Sequence, residues 1–134
     1  MITYTSSLAG VTPEKLEGFF VGWPKKPTPE RHLMILWQSY HRVLAVESES
    51  GKVVGFINAI SDGIMAAYIP LLEVLPEYQK QGIGAALVRR IMEELGDLYM
   101  VDLACDEDLQ PFYERYGFRK YYGMMYRNFE RQGC

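Results

Sequence analysis

The sequence predicts a three-layer α/β (α+β) domain in which helices pack on a single mixed sheet. Three observations lead there. The hydrophobic period switches repeatedly between two and about 3.6 residues along the chain. The middle third reads as an antiparallel meander joined by short turns. A strand–helix–strand crossover then follows, and such a connection joins parallel neighbours. With 134 residues, 49% apolar and 23% charged, the chain reads as one domain, 1–134, able to bury a core.

The first strand is expected around Ile2 to Thr5. Thr12 has the character of a helix N-cap, with Pro13 at the first helical position, and the helix it opens would carry Leu16, Phe19 and Phe20 on one face. Three prolines between Pro24 and Pro29 forbid regular helix there and make a stiff loop. Thr28 and Pro29 repeat the cap-plus-proline signal for a second helix running to about Tyr40, with Leu33, Leu36, Trp37 and Tyr40 in register. His32 and His41 read as helix-surface or cap residues.

Strands follow at 43–47 and 52–60, and Asp62-Gly63 is a hairpin signal leading into a third strand from about Ile64 to Val74. Pro70 lacks a ladder donor, so a bulge or a break in pairing is expected beside it. Ile83, Leu87, Ile91 and Leu95 then recur every four residues in a helix stopped by Gly96. Leu98 to Ala104 reads as a further strand, 107–116 as a short helix, and Phe118 to Phe129 as a final strand or bent hairpin. Tyr121, Tyr122, Met124, Met125 and Tyr126 would then be sheet core and sheet face.

Charge sets the first functional limits. Lys and Arg number 14 against 17 Asp and Glu, so the net charge is −3. That balance argues against a nucleic-acid groove and against a polybasic membrane surface, both of which need excess positive charge. Cys105 and Cys134 make neither a disulfide framework nor a four-ligand zinc site, and His32 and His41 stand at no metal-binding spacing, so no metal is expected. The opening MITYTSSLAG lacks the basic flank and apolar run of a signal peptide, and no apolar run reaches the roughly 18 residues of a membrane span. A cytoplasmic protein with no membrane partner is the expectation.

The chemistry is carried by the stretch from Leu71 to Leu87, where a strand ends, a short turn follows and two glycines stand at the start of an amphipathic helix. The first amides of a helix have no internal acceptor, and together with the helix dipole they form an anion site suited to phosphate. Lys80 adds positive charge at the same place. Spacing separates the ligand classes. A dinucleotide turn wants a third glycine where Leu87 stands, and a mononucleotide loop wants GxxxxGK followed by Ser or Thr, which is nowhere in the chain.

What remains, Gln79-x-x-Gly82-x-Gly84 after a proline-bulged strand, resembles the acyl-CoA-binding motif of the GCN5-related N-acetyltransferase (GNAT) superfamily. The run from Pro111 to Phe118 is similar to that family's late FYxxxGF segment, with Tyr113 standing 34 positions after Gln79. Element order matches from first strand to last, so the resemblance spans nearly the whole chain. It implies a mixed sheet of six or seven strands with about four helices and a bulged central strand.

The resemblance implies acetyl-CoA as co-substrate, with no metal. Backbone at Leu72, Glu73 and Val74 would bind the pantetheine arm, and an amide near Val74 would face the thioester oxygen. The amides of Lys80, Gln81, Gly82, Ile83, Gly84 and Ala85 would hold the pyrophosphate. Tyr113 matches the tyrosine that protonates the departing thiolate, a role suited to a phenol that stays protonated at neutral pH. Glu73 is the first candidate for the base that deprotonates a primary amine. Asp106 stands where many relatives have Asn.

Phe20 and Trp23, beside the proline loop, and Tyr68 are candidate acceptor contacts. The late segment is also similar to that of arylalkylamine N-acetyltransferases, which points to a small, even aromatic, amine, and the negative net charge suits a cationic one. A protein or peptide N-acetyltransferase and a non-catalytic CoA-binding module are the alternatives. The chain is expected to be a monomer or homodimer.

Overall fold

The computed structural model describes residues 1–134. Five strands, β1 (Ile2–Thr5), β2 (His41–Glu47), β3 (Val53–Ser61), β4 (Ala66–Val74) and β5 (Met100–Asp102), form one sheet in chain order. Pairing is antiparallel from β1 to β4 and parallel between β4 and β5. Three α-helices accompany it: α1 (Pro29–Gln38), α2 (Ile83–Leu95) and α3 (Gln110–Glu114). No helix is long and apolar enough to cross a membrane.

The helix predicted from the four-residue recurrence is α2, and it lies on one face of the sheet. Ile83, Leu87, Val88, Ile91 and Leu95 are all buried. Its approach to the sheet is set by Gly55 on β3, where an added Cβ would stand 3.2 Å from Ile83 and 3.3 Å from Leu87. A side chain there would push the helix start outward, which is why the centre of β3 carries none.

The other face is covered by α1 and the segment before it. Thr28 caps α1 as predicted, its hydroxyl accepting from the Arg31 amide at 3.2 Å. Phe19, Phe20 and His32 crowd onto Phe56 of β3, with ring centroids 4.3 to 6.3 Å apart.

The irregularity expected at Pro70 is present. Between the pairs Asn58–Leu71 and Ile60–Tyr68, β3 has one residue and β4 has two, Ile69 and Pro70. The extra residue is absorbed where proline has no amide to pair.

Several expectations are corrected. The sheet has five strands rather than six or seven, because residues 118–128 join no strand, and there are three α-helices rather than about four. The tyrosines and methionines of that segment stand in solvent, not in a sheet core. The expected first helix is a single 3-10 turn, Pro13–Leu16: Thr12 makes no side-chain cap, and Gly18 and Phe20 take left-handed backbone just beyond it. The strand expected from Leu98 to Ala104 pairs only over Met100–Asp102.

His32 is a further correction. It is 1% exposed, neither ring nitrogen has a hydrogen-bond partner, and Phe19, Phe20 and Phe56 surround it. Burial lowers its pKa from 6.5 to about 4, since an imidazolium there would lose its hydration without gaining a partner. The unfolded chain therefore takes up a proton before the native state does. Stability falls as pH drops from 6.5 towards 4, by up to about 3 kcal/mol from this group. His41, half-buried on β2, is displaced the same way, chiefly by burial. His32→Leu should flatten much of that slope in denaturant titrations across the range; an unchanged slope would show that His32 is not its source.

Candidate active site

The site begins with the backbone of β4. The Leu75 amide donates to the Val54 carbonyl at 2.9 Å, which fixes the phase of the β3–β4 ladder. Hydrogen-bonded and non-hydrogen-bonded pairs alternate along an antiparallel ladder, so Glu73 and Leu71 turn their backbone groups towards β3 while Leu72 and Val74 turn theirs away. On that far side β5 pairs only as far as Tyr68, against Asp102. Beyond Tyr68, the β4 edge has no strand partner. Of the three residues expected to bind an extended ligand through backbone, Leu72 has both groups free of the ladder, Val74 has its amide free while its carbonyl is bound by Gln79, and Glu73 has neither.

The turn after β4 leads into α2. Lys80 and Gly82 both take left-handed backbone, φ 63° and 82°, so the chain doubles back on itself before the helix starts. Gly82 is the N-cap residue and α2 has no side-chain cap, which leaves the amides of Ile83, Gly84 and Ala85 without intrahelical acceptors. A Cβ added to Gly82 would meet no atom within 4 Å. The position therefore demands glycine for its backbone angle, and the space before the helix is open to a ligand. Gln79 anchors the turn: its side-chain amide donates to the Val74 carbonyl at 3.0 Å.

Gly84 shows how the parts converge. An added Cβ there would lie 3.9 Å from both Val74 and Phe112, so the end of β4, the start of α2 and helix α3 meet at one point. Tyr113 follows Phe112 in α3, 9% exposed, with ring centroids 5.0 Å from Phe112 and 5.9 Å from Phe118. Burial and then the neighbouring Cys105 push its pKa up to about 12, above the ordinary phenol value. The hydroxyl holds its proton throughout the neutral range. Burial, with Asp106 and Asp108 nearby, also pushes the Cys105 thiol up, which opposes a nucleophilic thiolate there.

Two cavities lie on the α1 side of β4. One, about 350 Å³, is lined by Val21, Trp23, Phe56, the 71–74 stretch, Pro76 and Gln79. The other, about 400 Å³, lies between α1 and the bulge, with Phe20, Trp23, Pro27, Asn58, Pro70 and Leu71 among its walls. Trp23 and Leu71 border both. Of the expected acceptor contacts, Trp23 thus sits between the cavities and Phe20 lines the second. Tyr68 lines neither; it stands at the last β4–β5 pair.

Glu73 opens into the first cavity, and its carboxylate accepts from the Phe20 amide at 2.8 Å and the Val21 amide at 3.2 Å. It therefore holds the left-handed turn at Phe20 against the central strand. Sequence reasoning did not foresee this contact, nor the chain end at the second cavity. Gln132 and Cys134 line it, and the Gln132 side-chain oxygen accepts from the Lys25 amide at 3.2 Å. Neither contact, 53 and 107 residues apart in sequence, leaves a local signature.

Comparison with known proteins agrees with this geometry. Residues 39–120 match the family model of the acetyltransferase (GNAT) domain. GCN5-related N-acetyltransferase 3, chloroplastic, of Arabidopsis thaliana is 37% identical over 81 residues, covering 59% of this chain and 34% of that protein. GCN5-related N-acetyltransferase 2 of the same plant is 32% identical over 118 residues, covering 73% of this chain and 45% of that protein. The chain thus spans less than half the length of these curated relatives. A crystal structure of a candidate acetyltransferase from Deinococcus radiodurans R1 superposes with a TM-score of 0.95 at 51% identity, covering 98% of this chain and 92% of that one. By sequence, by fold and by the arrangement around β4 and α2, the chain belongs to the GNAT acetyltransferase family.

Proposed function

We propose that this protein transfers an acetyl group from acetyl-CoA to the primary amine of a small acceptor, aromatic amines included, by direct attack without an acyl-enzyme. The observation that carries the reading is the convergence at Gly84. There a strand edge with free backbone groups and an uncapped helix start meet Phe112, whose ring packs on the buried Tyr113.

The residues fit acetyl-CoA in three places. Leu72 with its amide and carbonyl, and Val74 with its amide, face an extended pantetheine chain, which would add to the edge of β4 as a short strand does. The turn from Lys80 through Gln81 and Gly82, with the amides of Ile83, Gly84 and Ala85, is shaped for a pyrophosphate. The open space before Gly82 leaves that group room. The Val74 amide would stabilise charge on the thioester oxygen, and Tyr113 would supply the proton that the leaving thiolate takes up.

Glu73 is assigned as the proton acceptor for the attacking amine, directly or through one water. Two of its lone pairs are held by the Phe20 and Val21 amides, which leaves the rest of the carboxylate for the cavity. The cavities bordered by Trp23 have the volume for a small acceptor, and their apolar walls suit a ring or an aliphatic chain.

Four measurements test the reading. Acetyl-CoA and CoA at about 100 times their dissociation constants should stabilise the fold by about 2.7 kcal/mol, a rise of about 10 °C in Tm, while a dinucleotide should not. No shift with either CoA species would overturn the cofactor assignment. Tyr113→Phe should lower kcat by about 10²-fold or more and leave CoA affinity unchanged; a chain with no turnover to lose on any amine or peptide is a binding module instead. Glu73→Gln should lower kcat by about 10²-fold. A rise in acceptor KM with kcat unchanged would make Glu73 only the clamp of the Phe20 turn. A panel of small amines beside a peptide amine identifies the acceptor: transfer to the peptide alone would replace the small-amine reading with a protein one.

A further inference from the structure

The second cavity, between α1 and the bulge, is lined by a buried side chain with a polar atom that nothing in the chain satisfies. Asn58 on β3 is 1% exposed, and its Oδ1 has no hydrogen-bond partner. The amide cannot turn over to find one. Its Nδ2 donates to the Ser39 hydroxyl at 3.0 Å, and that hydroxyl commits its single proton to the Ile35 carbonyl at 2.7 Å. Only lone pairs remain on the Ser39 oxygen, so they must face the Asn58 N–H groups. The other polar walls are accounted for: Gln132 accepts from the Lys25 amide, and Gln38 and Cys134 reach solvent. A buried carbonyl oxygen left unpaired is costly, and the cavity beside it has room for a molecule that supplies the donor.

Strand register sets this residue near Glu73. Phe56 stands opposite Glu73 and Asn58 opposite Leu71, so Asn58 and Glu73 project from the same face of the sheet as diagonal neighbours. Such neighbours stand about 7–8 Å apart. Leu71 and Trp23 border both cavities, so the space at Glu73 and the space at Asn58 share those walls. Charge narrows the partner. Arg42 on β2 stands opposite Asn58 on its other side, and its Nη2 donates to the Ser39 carbonyl at 2.7 Å. That guanidinium disfavours a second ammonium beside it, and the Asn58 oxygen disfavours a carboxylate. A neutral hydroxyl suits both. The buried Nε of Arg42 is also without a partner, and a hydroxyl, unlike an ammonium, can accept as well as donate.

Resting on the small-amine reading above, we propose that Asn58 sets acceptor specificity. Its Oδ1 accepts a hydrogen bond from a hydroxyl that the acceptor carries about 7–8 Å from the amine held at Glu73. The substrate class is then a hydroxylated amine with an apolar ring or chain between its two polar ends. Phe20, Trp23, Pro27, Ile35, Pro70 and Leu71 line the space for that middle part. Asn58 touches the acceptor away from the reacting atoms, so it discriminates between acceptors and takes no part in proton transfer.

The test compares para-hydroxyphenethylamine with phenethylamine, which differ only in the hydroxyl. The parent chain should use the hydroxylated amine with a kcat/KM higher by about 10-fold or more. In Asn58→Leu that ratio should fall to about 1 while the CoA-induced thermal shift is kept. A role confined to holding Ser39 would lower both amines alike and leave the ratio intact, which would overturn the proposal. Equal use of the two amines by the parent chain would also overturn it and leave the oxygen to a water alone. That comparison needs no variant, so it stands even where Asn58→Leu does not fold. Neither result touches the small-amine reading. Transfer to other small amines but to neither of these two would overturn the Asn58 inference alone, and transfer to no small amine would overturn both.

Discussion

The structure depends on how briefly β4 and β5 pair. Three residues of each strand are joined, ending at Tyr68 and Asp102, while β4 runs on to Val74 with β3 as its sole partner. A strand held on one side has free donors and acceptors on the other, and burying them without partners would be costly. The fold leaves that edge without a strand partner. The extra residue at Ile69–Pro70 lies directly after the last β4–β5 pair. A bulge adds local twist to its strand, and here it falls where β4 leaves β5 and turns towards α2.

The helix start reaches this edge because of a contact on the opposite side of the strand pair. Gly55 lets α2 settle onto β3, with Ile83 and Leu87 closest to the sheet. The N-terminus of α2 then stands beside Val74, and Gln79 ties the intervening turn to that residue's carbonyl. A core contact between apolar atoms therefore decides where the free amides of the helix start lie. The positions needed for packing and those left open alternate along the same few residues.

The α1 side carries a different kind of constraint. Phe20 takes left-handed backbone, a conformation that costs a non-glycine residue on the order of 1–3 kcal/mol. The Glu73 carboxylate accepts from its amide and the next, and hydrogen bonds to a charged group contribute about 1.5–3 kcal/mol each. The aromatic packing of Phe20 on Trp23, His32 and Phe56 adds to this. The strained turn is held by the central strand itself, and Trp23 just after it separates the two cavities.

Much of the fold and site was legible in the residues. Four-residue recurrence gave α2, Thr28 with Pro29 gave the start of α1, Pro70 gave the bulge, and Gln79, Gly82 and Gly84 marked the turn before the helix. These are local facts, governed by caps, periodicity and backbone angles within a few residues. What tertiary structure decided was every relation across the chain: His32 drawn into an aromatic cluster rather than left on a helix surface, Glu73 bound to amides 53 residues away, the chain end at the second cavity, and the arm after Phe118 left outside the sheet. A helical stripe shows that a face is buried but not against what. Alternating apolar residues show that a strand is wanted but not which segment becomes its partner. Those outcomes are set by competition among distant surfaces for the same contacts, and no short window of sequence contains both competitors.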